Sequence, residues 1–200
     1  MKKLLLATAN SGKVLEYKAL LRSLPIELVS LKDMGITMAV EEDGKTFEEN
    51  SVKKAMMYHG LSGLPVLSDD GGIEIDYLNG KPGVLSRRWP GYEASDEELI
   101  GMTLEKLKGV PKKRRTARLV VCVTLLFPGD ETLYVAEAAK EGVIGTKPVN
   151  HEEGYPFRAI FYLPELKKYY SELSAEDEIR VGHRKKAIEI LIPIIREKLL

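Results

Sequence analysis

The chain has 200 residues, and its 30 basic side chains are balanced by 30 acidic ones. A chain without net charge does not attract polyanions through its overall field, which argues against nucleic acid as a partner and requires any phosphate site to be local. The apolar run at residues 4–7 is too short for a signal peptide or a membrane span, and no later stretch reaches the ~20 apolar residues of a span, so we expect a cytoplasmic chain without a membrane partner.

The first predicted unit is a strand over residues 2–8 and a helix that starts in the turn Asn10–Lys13 and continues until Pro25 stops it. A strand that turns into a helix directs backbone N–H groups and the positive end of the helix dipole at one spot, which favours a phosphate. The segment is not a P-loop, because Ala7 stands where that motif needs glycine and Val14 where it needs serine or threonine. An ordinary βα turn without a ligand is the alternative.

A second strand is predicted over residues 26–31, and a second helix follows it. Thr46–Glu49 has the pattern of a capping box, with a threonine at the cap and a glutamate three residues later, which predicts a helix from Phe47 to about His59. We expect four side chains to share its buried face: Val52, Ala55, Met56 and His59.

Acidic side chains precede this helix, open it and follow the next strand, and they are candidate ligands of Mg²⁺: Glu41, Glu42, Glu48, Glu49, Asp69 and Asp70. Magnesium usually takes one or two carboxylates together with water and substrate phosphate. An exposed acidic turn is the alternative for the first two acids, and the preference of helix N-termini for negative charge is the alternative for the next two.

Asp69 and Asp70 are the most informative of these acids. Residues 65–68 form a short apolar run, and residues 73–78 read as a separate strand, so the two acids are predicted to lie at a strand end. Open α/β sheets bind their ligands at such ends.

The second half of the chain contains a predicted helix over 95–109 and a basic run, Lys112–Arg115, that reads as a solvated loop. Two strands over 118–127 and 133–144 are expected to pair as a hairpin. The single cysteine, Cys122, lies in an apolar run and is expected to be a buried structural thiol.

A last helix is predicted to begin at His183, preceded by Gly182 and followed by Arg184. This helix start offers a fixed cation and an imidazole to a ligand, although a solvated surface pair is the alternative. Pro193 predicts a bend, and the inward face is expected to carry Ala187, Ile188, Leu191 and Ile195.

Six motifs, in this order, resemble those of the inosine triphosphate pyrophosphatase family: Thr8–Lys13, Glu42–Asn50, Asp69–Gly72, Asn79–Val84, Arg118 and Gly182–Arg184. The resemblance spans nearly the whole chain and implies an α/β fold with an elongated mixed β-sheet flanked by helices, in two lobes around a central nucleotide-binding cleft. We therefore treat residues 1–200 as a single domain of this type. The implied activity is hydrolysis of non-standard purine nucleotides (ITP, dITP and XTP) to monophosphate and pyrophosphate, a house-cleaning reaction, in a homodimer.

The resemblance also implies roles for individual residues. Four would bind the phosphates: Thr8, Asn10, Lys13 and Lys54. Glu42 and Asp70 would hold Mg²⁺, for which Mn²⁺ could substitute. Asp70 matches the proton acceptor that activates the attacking water, with Asp69 supporting it, while His183 and Arg184 would hold the nucleotide near its base.

The sequence departs from the family pattern mainly where the base is read. Gly71 and Gly182 replace serines, and the base-binding loop aligns with Tyr155–Ala159, in which Tyr155 and Phe157 are the aromatic residues. Arg158 replaces an acid of that loop, and Glu178 replaces a lysine. Either this exchange inverts the donor and acceptor pattern offered to the base, or both side chains point to solvent and pair with each other.

Three functions therefore remain open at the level of the sequence. The first is the active pyrophosphatase. The second is a nucleotide-binding module that has lost turnover. The third is the same hydrolysis on a different nucleobase.

Overall fold

The computed structural model describes residues 1–150 and 153–200. These residues contain the strands β1 (Lys3–Ala7), β2 (Glu27–Ser30), β3 (Val66–Ile75), β4 (Thr116–Leu126), β5 (Tyr134–Ile144), β6 (Phe161–Leu163) and β7 (Lys168–Tyr169). They also contain the α-helices α1 (Ser11–Leu20), α2 (Phe47–Ser62), α3 (Asp96–Lys106), α4 (Ala175–Val181) and α5 (His183–Leu199). Within the same residues, none of the helices is both long and apolar enough to cross a membrane.

The strands form one mixed sheet in the order β2-β1-β3-β4-β5-β6-β7. β1 runs parallel to β2 and to β3, with Leu6 opposite Ser30 on one side and opposite Leu67 on the other. β5, β6 and β7 pair in antiparallel fashion. The predicted α/β class with a mixed sheet flanked by helices is confirmed, whereas the single domain and the central cleft stay predictions.

The first of two compact units comprises Met1–Asp70, Val121–Ala138 and His183–Leu200. Its larger core joins the apolar faces of α1 and α5 to β1 and β4, and it includes the four predicted inward residues Ala187, Ile188, Leu191 and Ile195. Cys122 is fully buried, as expected.

The second unit comprises Gly71–Val120 and Ala139–Gly182. Its core contains buried side chains of β3, α3, β5 and β6: Ile73, Ile75, Leu99, Ile100, Ile144, Phe161 and Leu163. The same unit contains a buried arginine, Arg115, which donates hydrogen bonds to the carbonyl oxygens of Leu107, Val110 and Gly145. The prediction of a wholly solvated basic run is therefore wrong at its last residue, because this guanidinium satisfies loop carbonyls that would otherwise be buried without donors.

The prediction that Asp69 and Asp70 lie at a strand end is wrong. β3 runs without interruption through both acids and through Gly71 and Gly72 to Ile75. The glycines do not end the strand; at Gly72 a Cβ atom would lie 2.2 Å from Ser86 Oγ, so this glycine accommodates a closely packed neighbouring segment. The two acids are consequently held within the sheet.

Helix ends differ from the predicted ones in three places, one of which is α3, where the helix ends at Lys106 rather than near residue 109. α1 ends at Leu20 rather than near residue 24, and α2 continues to Ser62, where Gly63 caps it with a φ of 65°. The inward face of α2 is also shifted: Met56 is 58% exposed, whereas Asn50 and Lys54 are buried. That face is partly polar because it supports charged groups as well as an apolar core, to which Ala55 and Tyr58 belong. The short helix α4 was not predicted.

Candidate active site

The turn after β1 is built by its own polar side chains. Asn10 caps α1, and its Oδ1 accepts a hydrogen bond from the backbone N–H of Lys13 at 3.0 Å. The hydroxyl of Thr8 accepts a hydrogen bond from the N–H of Asn10 at 3.2 Å. Thr8 and Asn10 thus fix the shape of the turn, and the first turn of α1 carries Lys13.

Asp69 anchors a buried row of alternating charges in the first unit. Its Oδ1 lies 3.0 Å from Lys13 Nζ, and its Oδ2 lies 3.1 Å from Arg184 Nε. Arg184 reaches further to Glu16, with 3.2 Å between Nη1 and Oε2. These contacts join β3 to the start of α5 and to α1, so residues far apart in sequence converge on a single carboxylate.

The charges around Asp69 determine its protonation. Burial alone would raise the pKa of the Asp69 carboxyl, but Lys13 and Arg184 outweigh burial and hold that pKa well below its usual value. Burial lowers the pKa of Lys13 despite the neighbouring acid. Asp69 is therefore a permanent anion that orients two cations, and it is unsuited to accept a proton during a reaction.

Asp70 has different neighbours, because successive side chains of a strand point to opposite faces. Asn50 Nδ2 donates a hydrogen bond to Asp70 Oδ2 at 2.9 Å, and Lys54 Nζ lies 3.7 Å from Asp70 Oδ1. The same ammonium group lies 2.5 Å from Glu42 Oε1. One cation therefore lies between two carboxylates.

Burial raises the pKa of the Asp70 carboxyl above its ordinary value, and Glu42 adds to the rise, while Lys54 and the Asn50 hydrogen bond oppose it. Burial lowers the pKa of Lys54, but Asp70 and Glu42 outweigh burial, so the net shift is upward. Of the two adjacent acids, Asp70 is thus the one whose environment favours accepting a proton.

The donor set around Lys54 is suited to a divalent cation. Glu42 and Asp70 converge on a positive charge, and carboxylate oxygen is the ligand type that Mg²⁺ takes from proteins. Within residues 1–150 and 153–200, no group of three or more His, Cys, Asp or Glu side chains could hold a metal. A metal at this position would accordingly depend on few protein ligands, with water and substrate phosphate completing its coordination.

A buried hydroxyl cluster lies directly beside the paired acids. Ser51 donates a hydrogen bond to Thr124 Oγ1 at 2.8 Å, and Ser68 donates to the carbonyl oxygen of Ser51 at 2.6 Å. These contacts tie α2 to β3 and β4 immediately before Asp69. The strand that presents the acids is therefore fixed by polar as well as apolar contacts.

The residues assigned to the base lie in the second unit, except for His183 and Arg184. Arg158 is only 6% exposed, its guanidinium lies 3.7 Å from the centroid of the Tyr155 ring, and Nη1 forms an ion pair with Glu178 Oε1. The ring of Tyr170 lies on the same guanidinium at 5.0 Å. Phe157 is buried in the core of this unit. The expectation that both charged side chains point to solvent is wrong, but the expectation that they pair is confirmed.

The remaining residues that the sequence assigns to the nucleotide near its base are His183, Arg184 and Gly71. His183 and Arg184 are both buried at the start of α5, so the interpretation of a solvated surface pair is wrong. Gly71 is half-buried and continues β3 after Asp70. Glu16 and Asn50 were given no role by sequence reasoning, although each lies one helical turn from a residue that was singled out, Lys13 and Thr46 respectively.

The chain is similar to known proteins over nearly its whole length. Residues 4–194 match the Ham1 family. A "dITP/XTP pyrophosphatase" of Clostridium perfringens is 38% identical over 197 residues, with 96% of each chain covered, and one of Geobacter sulfurreducens is 40% identical over 191 residues, with 96% of this chain and 95% of that one covered. The structure of a HAM1 protein from Coxiella burnetii superposes with a TM-score of 0.85 at 33% identity and covers 98% of this chain and 100% of that one.

Proposed function

This chain belongs to the Ham1 family, and from that premise we propose that it is a nucleoside triphosphate pyrophosphatase that removes non-standard purine nucleotides from the nucleotide pool. Its substrates would be ITP, dITP and XTP. Water would attack the α-phosphorus, releasing the monophosphate and pyrophosphate. The full-length similarity to dITP/XTP pyrophosphatases supports this function.

The proposal depends most on the different surroundings of two adjacent acids, because Asp69 contacts Lys13 and Arg184, whereas Asp70 contacts Asn50 and Lys54. Lys13 and Arg184 keep Asp69 ionised, whereas burial and Glu42 raise the pKa of Asp70. An acid that is fixed as an anion can orient cations toward phosphate, and an acid with a raised pKa can take a proton from water. Hydrolysis of a phosphoanhydride needs both tasks.

The remaining side chains of the first unit provide positioning and neutralisation of charge, which dominate catalysis of phosphoryl transfer. Lys13 and Lys54 would bind phosphate oxygens, and the N–H groups at the start of α1 would add hydrogen bonds after Thr8 and Asn10 have shaped the turn. Asp70 would accept the proton of the attacking water. Arg184, held by Asp69 and Glu16, would bind the nucleotide together with His183.

Glu42 and Asp70 would hold a divalent cation, which we propose to be Mg²⁺ with Mn²⁺ as a substitute. The bound ion would neutralise phosphate charge and lower the pKa of coordinated water. Because Lys54 touches both carboxylates, we expect its ammonium group to shift toward substrate phosphate when the ion is present.

The proposal also covers how the nucleobase is recognised, the oligomeric state and the cellular compartment. Tyr155, Phe157 and Gly71 would act on the nucleoside side of the substrate, with Arg158 and Glu178 supporting that side as an ion pair. We further propose a single-domain chain that forms a homodimer and works in the cytoplasm without nucleic acid. Since Arg158 and Glu178 depart from the family pattern, hydrolysis of another nucleobase is the second candidate function.

A nucleotide panel tests the proposal directly. The purified chain is incubated with ITP, dITP, XTP, ATP, GTP, CTP and UTP in the presence of Mg²⁺, and monophosphate and pyrophosphate are quantified. We expect equimolar products and the highest kcat/KM for the three non-standard purines. Highest activity on another base would support the second candidate, and nucleotide binding without pyrophosphate release would identify a module without turnover.

A further inference from the structure

Asn50 is a buried side chain of the first unit that the proposed mechanism does not use. It lies in the first turns of α2, between the exposed Glu49 and the buried Ser51, and is only 1% exposed. A buried carboxamide must find partners for both its ends, because an unsatisfied polar group costs ~1 to 3 kcal/mol. The identity of those partners therefore indicates what the residue does.

Each end of the Asn50 carboxamide has one such partner. The backbone N–H of Gly44 donates to Oδ1 at 2.8 Å, and Nδ2 donates to Asp70 Oδ2 at 2.9 Å. A backbone N–H can only donate, so Oδ1 must face Gly44 and the amide cannot be reversed. The donor end is consequently committed to Asp70.

Gly44 shows that this contact requires close approach. A Cβ atom at this position would lie 2.6 Å from Asn50 Oδ1 and 2.9 Å from Glu49 Cβ, closer than real Cβ contacts. The backbone of the segment at residues 41–45 is thus pressed against Asn50. Glu42 belongs to the same segment and shares the ammonium group of Lys54 with Asp70.

One amide therefore links two groups that lie on different parts of the chain: the segment that carries Glu42 and the carboxylate of Asp70. We propose that Asn50 is a positioning residue that fixes the orientation of Asp70 and the approach of the Glu42 segment to it. This inference rests on the proposed function in assigning Asp70 to catalysis. Outer contacts of this kind typically contribute ~10- to 100-fold in metal affinity or activity.

The test compares two variants with one matched control. Asn50→Leu keeps the size of the side chain and removes both hydrogen bonds. Asn50→Asp keeps the acceptor for Gly44 but cannot donate to Asp70 when ionised, so it separates the two contacts. The control is Lys53→Met, because Lys53 also joins α2 to this segment, through an exposed pair with Asp43 at 2.6 Å, without touching Asp70.

We expect both Asn50 variants to lose kcat by about 100-fold with KM within a few-fold of wild type, and Lys53→Met to stay near wild type. Titration of the nucleotide-free protein with Mn²⁺, followed by electron paramagnetic resonance, is the second readout. Here Asn50→Leu should bind Mn²⁺ about 10-fold more weakly. Thermal unfolding and circular dichroism establish that each variant is folded.

Three results would overturn the inference: kcat of both folded variants within a few-fold of wild type, a loss confined to KM, or an equal loss in Lys53→Met. A wild-type chain that hydrolyses no nucleotide would instead contradict the proposed function. The Mn²⁺ titration would then decide on Asn50 alone, because unchanged Mn²⁺ affinity in Asn50→Leu would refute its positioning role. If Asn50→Leu does not fold, the kcat and KM values of Asn50→Asp decide between the same outcomes.

Discussion

Arg158 and Glu178 form an ion pair in which the guanidinium is buried against the ring of Tyr155, whereas the sequence left open whether they read the base or pair with each other in solvent. Their side chains are 7% and 23% exposed. A buried charge that loses its partner is strongly unfavourable, typically by about 3 to 5 kcal/mol. The pair therefore constrains the loop before β6 and the helix α4 within the second unit.

Reversal of these charges gives the first prediction. Arg158→Asp should leave two acids facing each other, and Glu178→Lys should leave two cations, so each single variant is expected to lose about 3 kcal/mol or more of unfolding free energy. The double variant Arg158→Asp with Glu178→Lys should recover most of that loss. Urea denaturation of the wild type, the two single variants and the double variant measures the coupling free energy between the two positions.

The same four proteins separate pairing from base reading. Because Arg158 is committed to Glu178 and to two tyrosine rings, we expect the ratio of kcat/KM for ITP to that for ATP and GTP to be the same in the wild type and the double variant. A preference for ITP that strengthens in the double variant would show that these two positions read the base with an inverted donor and acceptor pattern.

Asp70→Asn is expected to abolish turnover while nucleotide binding is retained. The amide cannot accept the proton of the attacking water, and loss of a general base typically costs ~100- to 10,000-fold. Steady-state kinetics and calorimetric titration with a non-hydrolysable triphosphate give the two quantities. Asp76→Asn is the control, because Asp76 is an exposed acid just beyond β3. Activity within a few-fold of wild type would remove Asp70 from the mechanism.

Hydrolysis should require Mg²⁺ or Mn²⁺ and should stop with excess chelator. If Glu42 is a ligand, Glu42→Gln should raise the Mg²⁺ concentration needed for half-maximal activity by about 10-fold or more. Rates measured across a Mg²⁺ series at saturating nucleotide provide the comparison. Turnover that persists in excess chelator would refute the metal role of both Glu42 and Asp70.

Cys122 is expected to be chemically silent in the folded protein. Burial raises the pKa of its thiol to about 12, so almost no thiolate exists at neutral pH, and the thiolate is the reactive form. A thiol-specific chromogenic reagent should react with one group per chain only after guanidinium unfolding. Rapid reaction of the native protein would show that β4 opens locally.

Asp130 should make the free energy of unfolding depend on pH in the acid range. Lys198 donates to Asp130 Oδ2 at 2.8 Å, Tyr134 donates at 2.9 Å, and the N–H of Thr132 donates to Oδ1 at 3.0 Å. These donors, with Lys198 the strongest, lower the pKa of Asp130 in the folded state. The stabilisation is present above the ordinary carboxyl pKa of ~3.9 and is lost as the pH falls through the lower folded value.

The comparison for this prediction is Asp130→Asn against wild type in denaturant series from pH 7 to pH 2. The difference in unfolding free energy should be constant near neutrality and shrink in acid, whereas Glu131→Gln, at the exposed neighbour, should show little difference at any pH. A difference that is independent of pH would mean that the asparagine perturbs the turn sterically rather than electrostatically.

Local signals in the sequence predicted much of the first unit. The predicted cap at Thr46 is present, because its hydroxyl accepts from the N–H of Glu49, although the Glu49 carboxylate accepts from the N–H of Lys45 instead of completing the capping box. The predicted helix start in the turn Asn10–Lys13 is confirmed as well. The prediction that β3 is interrupted was wrong. Two consecutive glycines can end a strand, or they can make room within a strand for a neighbour such as Ser86, and the sequence is the same in both cases. Only the tertiary structure distinguishes these cases.

The candidate site was predicted less completely than the fold, for the same reason. Lys13, Asp69 and Arg184 were singled out separately, but their mutual contacts depend on which strand and which helix become neighbours. Asn50 ends one of the six motifs but was given no role, and Glu16 carries no strong local signal, because glutamate is common on helix surfaces. Their burial against Asp70 and Arg184 is a property of the packed molecule.

The placement of Asp69 and Asp70 within β3 has a consequence for how the protein opens. β3 lies between β1 and β4 in the sheet, and Ala7 of β1 pairs with Ser68 immediately before the acids. Amide hydrogens in an interior strand exchange with solvent deuterium mainly through global unfolding, whereas those of loops and frayed ends exchange through small fluctuations. The part of β3 that leads into these two acids, residues 66–68, should accordingly be among the slowest-exchanging parts of the chain. Mild heating should release the surface turns long before it disorders the strand that carries Asp69 and Asp70.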